Sequence, residues 1–179
     1  MSTFIRALIV AGVEVPLDAA HELNTTYESL ERSEIHLMGD GSTRKQVLEG
    51  TQDKLKVTIS GAGTIPAGLQ GIAFQGPVLV QCQAHRAITS ASNIITLPAA
   101  RRSDTGSEPY ARAYTGGEWV ATAIVDITAN VATITQVAGA SYYQVVYFPE
   151  ILANIENGGP RENRGRGNKS TWSMVCWEA

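Results

Sequence analysis

The residues best suited to metal chemistry are Cys82 and His85, which form a C-x-x-H sequence. Zinc sites usually combine two such pairs. The remaining candidates, Cys176, His36 and His21, form no second close pair. Residues three positions apart on a strand also point to opposite faces. We therefore interpret Cys82 as a core thiol and His85 as a residue at the end of a strand, and we predict no metal and no cofactor.

The signatures of common catalytic sites are missing from the sequence. It contains neither a G-x-S-x-G nor a G-x-x-x-x-G-K-[ST] motif. Gly61-Ala62-Gly63 begins like a dinucleotide fingerprint, but Pro66 stands where the third glycine would be. Acidic residues that could form a glycosidase pair lie in segments typical of the surface. Nothing in the sequence marks two of them as facing each other. They are Glu14, Asp18, Glu31 and Asp40. We predict that the protein is not an enzyme.

Aromatic residues occur in three clusters along the chain. The clusters are Tyr110, Tyr114 and Trp119; Tyr142, Tyr143 and Tyr147; and Trp172 and Trp177. Rings on a β-sheet can fill a core, cover a subunit interface or stack on sugars. We favour core or interface packing. The alternative is a carbohydrate-binding module, which would lose its glycan when Tyr142, Tyr143 or Trp119 is changed to Ala.

The segment 157–170 holds four glycines and three asparagines but no large apolar residue. It cannot bury apolar area, and we predict a flexible loop. Its four basic residues are too few for strong phosphate binding, so nucleic acid is not the expected partner. We expect the loop to order against another subunit. The predicted interface residues, here and in the turn-rich segment 61–69, are Gly61, Gly63, Pro66, Arg161, Arg164, Arg166, Trp172 and Trp177.

Composition sets the broad class of the protein. The chain has 179 residues and a net charge of −3, and 17% of its residues are charged, against about 25% in a typical soluble domain. Hydrophobic residues make up 44%, which argues against global disorder. A mildly acidic chain is not a general binder of nucleic acid or anionic membranes. The most apolar stretch, 5–15, is too short to span a bilayer and a poor signal peptide. We expect a cytoplasmic protein with reduced thiols.

The elements that position these residues are predicted to be strands. Val, Ile and Thr together number 44 of the 179 residues, and 17 glycines separate short apolar runs. This pattern predicts an all-β fold, an antiparallel sandwich or barrel-like domain. The exception is one short N-terminal helix from Ala19 to about Leu23, capped by Asp18. A weaker helical pattern covers Glu150 to Ile155, after Pro149.

The strand patterns divide the chain into four segments. Residues 1–15 form an N-terminal extension or edge strand, and 16–156 form the β domain. Residues 157–170 are the Arg/Gly/Asn loop, and 171–179 are a C-terminal strand that returns to its own sheet or pairs with a neighbouring subunit. A hairpin is predicted around Gly39-Asp40-Gly41, because Asp-Gly supplies the positive φ angles of tight turns. A second is predicted to pair Glu118 to Ile127 with Val131 to Val137 across Thr128-Ala129-Asn130.

Five segments together carry a family resemblance. They are Pro16 to Leu30 (PLDAAHELNTTYESL), Met38 to Gln46 (MGDGSTRKQ), Lys56 to Leu69 (KVTISGAGTIPAGL), Ile95 to Arg101 (ITLPAAR) and Tyr143 to Pro149 (YQVVYFP). In this order they resemble small proteins encoded with the virion morphogenesis genes of tailed bacteriophages and prophages, in the tail or baseplate region. The resemblance covers about residues 16 to 150. Its motifs are turns and strands, so no functional residue is carried over.

The resemblance implies a structural role in a virion that is assembled in the host bacterial cytoplasm. The expected protein is a tail-tip or baseplate component that forms a ring-like homo-oligomer and binds other virion proteins, since symmetry lets one small domain build a ring. A head–tail connector or a capsid-decorating protein is the alternative within the same class. A glycan-binding module of a host-recognition apparatus is the alternative outside it.

Overall fold

The computed structural model describes residues 7–30, 33–47, 54–165 and 169–179. These residues form antiparallel strands and two single 3-10 turns, which confirms the predicted all-β class. The strands are β1 (Ile9–Val10), β2 (Val13–Glu14), β3 (Asn24–Leu30), β4 (Ser33–Leu37), β5 (Thr43–Val47), β6 (Lys54–Gly63), β7 (Val78–Gln81), β8 (Arg86–Ser90), β9 (Ile94–Thr96), β10 (Tyr110–Thr115), β11 (Glu118–Thr122), β12 (Ile124–Thr128), β13 (Val131–Ile134), β14 (Tyr142–Tyr147), β15 (Glu150–Ile155), β16 (Arg161–Arg164) and β17 (Ser170–Glu178). The 3-10 turns are Leu17–Ala19 and Glu156–Gly158.

The chain divides into two compact units. Unit 1 comprises the described residues of Met1–Glu14 together with Leu79–Ile151. Unit 2 comprises those of Val15–Val78 and Leu152–Ala179. The two units thus alternate along the sequence, each made of two separated segments, and a linear scan of composition does not detect units of this kind.

Unit 1 contains a four-stranded sheet in the order β11-β10-β14-β8 and a three-stranded sheet in the order β12-β13-β9. Strand β1 pairs with β2 and β7 at the N-terminal end of the chain. Alternate residues of β10 and β14, among them Ala111, Ala113 and Val145, point into a buried apolar cluster with Ile95 and Ile134. This period of two is what a half-buried strand requires.

The predicted hairpin around Thr128-Ala129-Asn130 is confirmed as β12 and β13. Ala129 and Asn130 both have positive φ, 49° and 66°, as a two-residue type I′ turn requires. The residues before Ile124 follow a different course from the prediction. They form β11, which pairs with β10 instead of extending the hairpin.

Unit 2 is built on a sheet in which β17 lies between β6 and β15, and β3 pairs with the other side of β6. On β6, Leu55, Val57 and Ile59 are buried and the residues between them are not, as the alternation of apolar and polar residues in this segment predicts. On β17, Trp172, Met174 and Cys176 are buried in the same alternating way. The C-terminal strand therefore pairs within its own chain.

The predicted N-terminal helix is wrong. Leu17–Ala19 forms one 3-10 turn, in which the amides of Ala19 and Ala20 donate to the carbonyl oxygens of Pro16 and Leu17 at 2.9 Å. The Glu22 amide then donates to the Ala62 carbonyl oxygen at 3.3 Å. Short helices are marginal without tertiary support, so pairing with β6 takes the backbone bonds that a helix would need.

The weaker helical pattern at Glu150–Ile155 is also wrong, since these residues form β15. Ile151, Ala153 and Ile155 are buried and Leu152 is exposed. That period of two suits a strand beside β17, and pairing overrides local helix propensity.

The segment predicted as a flexible loop contains a strand. Arg161–Arg164 forms β16 and pairs residue by residue with Ser170–Ser173 at the start of β17. Arg166 lies outside the described residues. Among the residues that the structure describes, no helix is long and apolar enough to cross a membrane.

Candidate functional site

Three of the predicted interface residues in unit 2 pack inside this chain. Trp172 is only 2% exposed and lies directly opposite Gly61 across β17 and β6. A Cβ atom at Gly61 would lie 2.6 Å from Cε2 of Trp172, so the indole occupies the space that a side chain would fill. A Cβ at Gly63 would overlap the carbonyl oxygen of Asp18. The two glycines thus allow close internal packing.

The Trp172 indole also fixes the N-terminal turn. Its Nε1 donates to the carbonyl oxygen of Ala19 at 2.8 Å, and the Thr64 amide donates to the carbonyl oxygen of Asp18 at 2.8 Å. A buried tryptophan requires such an acceptor for its N–H group. Gly61, Gly63 and Trp172 therefore have a structural role within unit 2.

Two other predicted interface residues share a cleft on unit 2. Pro66 and Arg164 are exposed and line it, together with Glu162 and Gln70. The Gln70 Nε2 donates to Oε2 of Glu162 at 2.6 Å, whereas Oε1 of Glu162 is buried without a hydrogen-bond partner among the described residues. Arg161 is exposed at the first position of β16. Among the described residues, one cation, Arg164, and one anion, Glu162, line the cleft.

Trp177 lies on the opposite face of β17 from Trp172. It is 37% exposed, and Nζ of Lys56 lies 5.3 Å from its ring centroid. Its Nε1 donates to Oε2 of Glu156 at 3.2 Å. Lys56 also forms an ion pair with Glu28 at 2.8 Å. Trp177 is thus accessible but already held by polar neighbours.

The hairpin β4–β5 presents apolar side chains to solvent. The two strands pair only with each other among the described strands. The register places Ile35 opposite Lys45 and Leu37 opposite Thr43, so these four side chains share one face. Ile35 and Leu37 are 69% and 76% exposed. The turn is fixed by Asp40, whose carboxylate accepts from the Ser42 amide and hydroxyl at 2.9 and 2.7 Å. These hydrogen bonds hold the pKa of Asp40 below its ordinary value.

Unit 1 presents a row of three aromatic rings on one face of its four-stranded sheet. Tyr114 lies directly opposite Trp119 on β11 and directly opposite Tyr142 on β14. The rings of Tyr114 and Trp119 are 5.3 Å apart between centroids and inclined by 55°. Trp119 is 40% and Tyr142 50% exposed. Trp119, Tyr114 and Tyr142 are called the aromatic row below.

A polar row lies beside the aromatic row on the same face. Arg112 is opposite Gln144, and Gln144 is opposite Thr89 on β8. Nε2 of Gln144 donates to Oγ1 of Thr89 at 3.2 Å. The guanidinium carbon of Arg112 lies 5.5 Å from the ring centroid of Tyr110, which flanks the polar row on its other side. No described carboxylate lies within ion-pair distance of Arg112. Arg112, Gln144 and Thr89 are called the polar row.

Tyr143 cannot take part in this face, contrary to its predicted place beside Tyr142 and Trp119 in a sugar-binding set. It is 6% exposed and points into the core of unit 1. Its hydroxyl oxygen accepts from the Val137 amide at 3.2 Å. Sequence reasoning missed Arg112 and Gln144. The available signal was alternation, since Arg112 stands between Ala111 and Ala113, and Gln144 between Tyr143 and Val145.

The residues considered for metal and thiol chemistry are dispersed. Cys82 and Cys176 are fully buried thiols. The exposed His85 packs edge-on against Phe148, with ring centroids 6.0 Å apart. Nε2 of His21 lies 3.6 Å from Oδ1 of Asp18, and both side chains are exposed. Within the described part of the chain, no three His, Cys, Asp or Glu residues are grouped so that they could hold a metal ion.

Comparison of the chain with protein-family models, with curated proteins and with solved structures gave no significant match. The hairpin and the two rows are therefore the structural features from which a function can be argued.

Proposed function

We propose that the protein is a structural component of a tailed-phage virion, a tail-tip or baseplate ring protein that acts through assembly with its own copies and with other virion proteins. The observation that carries the proposal is the exposure of Ile35 and Leu37 on the hairpin β4–β5. Burial of one such side chain is worth about 1.5–3 kcal/mol, and a lone two-stranded hairpin is marginally stable in water. Both facts favour a partner surface, on another copy or on another virion protein, as the cover of this face.

Composition and resemblance support the same proposal. The chain is poor in charged residues, at 17%, which suits a protein that buries surface against partners. The segments that resemble tail and baseplate proteins include residues 38–46, the turn and return strand of this hairpin. The position in a tail or baseplate, and assembly in the host bacterial cytoplasm, rest on that resemblance. A connector or capsid-decorating role would use the same contacts.

The proposal includes the arrangement of the strands in layers. We expect the strands to form sandwich or barrel-like layers, repeated by rotational symmetry in a ring. A ring places the same hairpin and the same acceptor surface on every copy.

Quantitative peptide mass spectrometry of purified phage particles tests the virion assignment. We expect the protein at a fixed ratio to the major tail and capsid proteins. A ratio typical of one small ring supports the tail tip or connector, whereas hundreds of copies would move the protein to the capsid surface or tail tube. Absence from particles, with the protein present in the lysate, would contradict a structural role.

A double variant tests the hairpin. Ile35→Thr with Leu37→Thr removes the exposed apolar groups and places a β-branched residue, which favours strands, at each position. We expect the folded variant to remain monomeric in light scattering and to be lost from particles. The matched control is Val125→Thr, a side chain 67% exposed on β12 of unit 1. Normal incorporation of the double variant would remove the hairpin from the mechanism.

A further inference from the structure

The exposed face of the four-stranded sheet in unit 1 combines flat apolar rings with hydrogen-bonding groups. Successive strands lie about 4.8 Å apart, so Trp119, Tyr114 and Tyr142 form a continuous strip across three strands. Rings in such a strip offer large contact area at little conformational cost. Two of them, Trp119 and Tyr142, are 40% and 50% exposed although they belong to an ordered sheet.

The polar row specifies the chemistry of an occupant. Arg112 and Gln144 lie next to the aromatic row in register, and Thr89 fixes the Gln144 amide through a 3.2 Å hydrogen bond. The side-chain oxygen of Gln144 and the guanidinium donors of Arg112 face the same side as the rings. A purely apolar partner would bury these groups unsatisfied, which costs free energy. An occupant with C–H faces for the rings and hydroxyl groups for the polar row satisfies both.

Charge distinguishes between the polymers that stack on aromatic rings. Single-stranded nucleic acid requires a basic groove that follows its phosphates. Arg112 is the one charged side chain on this face among the described residues of β8, β10, β11 and β14, because Glu118 and Arg86 lie on the opposite face by register. One cation supplies little counterion release. A polyhydroxylated ligand without a dense charge fits the face better.

We propose that this face binds an oligosaccharide, with sugar rings stacked on the aromatic row and their hydroxyl groups hydrogen-bonded to the polar row. The Arg112 guanidinium is already oriented over the Tyr110 ring at 5.5 Å, which limits the entropy lost on binding. The site lies wholly in unit 1 and does not use the hairpin of unit 2. It is therefore independent of the assembly proposal.

The test is binding of the full-length chain to an array of immobilised neutral and acidic oligosaccharides, followed by calorimetry with the soluble oligosaccharide that binds. We expect Trp119→Ala and Tyr142→Ala each to weaken binding roughly tenfold, the lower end of the loss seen when a ring that stacks on a nucleic-acid base is removed. Tyr142→Phe should retain affinity because it keeps the ring. Val125→Ala, on a different sheet, is the matched control, and circular dichroism confirms that each variant is folded.

Several results would overturn the site. One is that the folded wild-type chain binds to none of the oligosaccharides on the array. Another is an affinity unchanged by Trp119→Ala and Tyr142→Ala. A third is a homo-oligomer that dissociates on Tyr142→Ala, which would make a second copy the occupant. Binding of oligo(dT) in preference to the sugars would assign the face to nucleic acid.

Loss of particle incorporation in the hairpin variant with glycan binding intact would separate this site from assembly.

Discussion

Arg102 and Asp104 form a bidentate ion pair in unit 1. Nε of Arg102 donates to Oδ1 of Asp104 at 2.8 Å, and Nη2 donates to Oδ2 at 2.9 Å. Arg102 is 3% exposed, and its Nη1 also donates to the carbonyl oxygens of Ala7 and Cys82 at 2.8 and 3.3 Å. One side chain therefore joins the N-terminal segment, the residue after β7 and the loop that precedes β10.

Asp104 should make the stability of the protein sensitive to acid. The hydrogen bonds from Arg102 lower the pKa of Asp104 from 3.8 to about 2. Because the pKa is depressed in the folded state, its stabilisation is present above about pH 4 and is lost as the pH falls to about 2. The Asp104 side chain is 41% exposed, so after solvent screening we expect about 1 kcal/mol.

The measurement is urea unfolding of the wild type and Asp104→Asn from pH 7 to pH 2. The variant should be less stable at pH 7, and the difference between the two proteins should shrink as the pH approaches 2. A constant difference over this range would show that the ion pair does not contribute.

Arg102→Lys should destabilise unit 1 although the charge is conserved. An ammonium group cannot make two parallel bonds to one carboxylate and also reach the carbonyl oxygens of Ala7 and Cys82. Buried acceptors left without donors cost about 1–3 kcal/mol, and we expect a loss of that size in chemical unfolding. Arg161→Lys, at an exposed position, should change the unfolding free energy by less than about 0.5 kcal/mol. Equal effects of the two substitutions would show that the hydrogen bonds of Arg102 do not stabilise unit 1.

Gly61→Ala tests the packing of Trp172 against β6. The new methyl group would lie 2.6 Å from the indole, and such overpacking typically costs about 1–3 kcal/mol. The control is Gly76→Ala, where a Cβ meets no atom within 4 Å. That control should leave the midpoint of thermal unfolding unchanged or raise it slightly. Wild-type stability of Gly61→Ala would mean that the indole can move away without cost.

The sequence predicts strands with one buried face well, because that face follows from alternation alone. On β6, Leu55, Val57 and Ile59 could be assigned to the core before any partner was known. The turns were also predictable, since Gly41 and Asn130 have positive φ, a conformation that Gly and Asn tolerate better than other residues. These features depend on local stereochemistry.

Long-range partners limited the remaining predictions. The short helix after Asp18 failed because the Glu22 amide pairs with Ala62, forty residues away in sequence. Trp172 and Trp177 could be placed on opposite faces of β17 by counting. Only the pairing of Trp172 with Gly61 reveals which face is buried. The face formed by the two rows likewise depends on the order β11-β10-β14-β8, which local patterns do not encode.

The two cysteines should react with thiol reagents only when the chain opens. Cys82 in unit 1 and Cys176 in unit 2 are both 0% exposed, so attack by Ellman's reagent requires local or global unfolding. We expect rapid labelling of both thiols in guanidinium chloride and very slow labelling in buffer. Ala91→Cys, at an exposed position between β8 and β9, provides the positive control. Fast labelling of the native wild type would contradict the burial of these thiols.

The turn between β12 and β13 offers a stabilising substitution. Ala129 has a φ of 49°, a conformation that costs an L-residue with a Cβ about 1–2 kcal/mol. Asn tolerates it better and is favoured at the first position of type I′ turns. We expect Ala129→Asn to raise the unfolding free energy by about 0.5–1 kcal/mol, measured by chemical denaturation.

The matched control for this turn is Ala87→Asn on β8, an exposed alanine within a strand. Asn is unfavourable in strands, so this substitution should lower stability slightly. Opposite signs for the two changes would attribute the gain at Ala129 to relief of its backbone conformation. A loss of stability at both positions would mean that the surrounding strands, rather than this turn, hold Ala129 at positive φ.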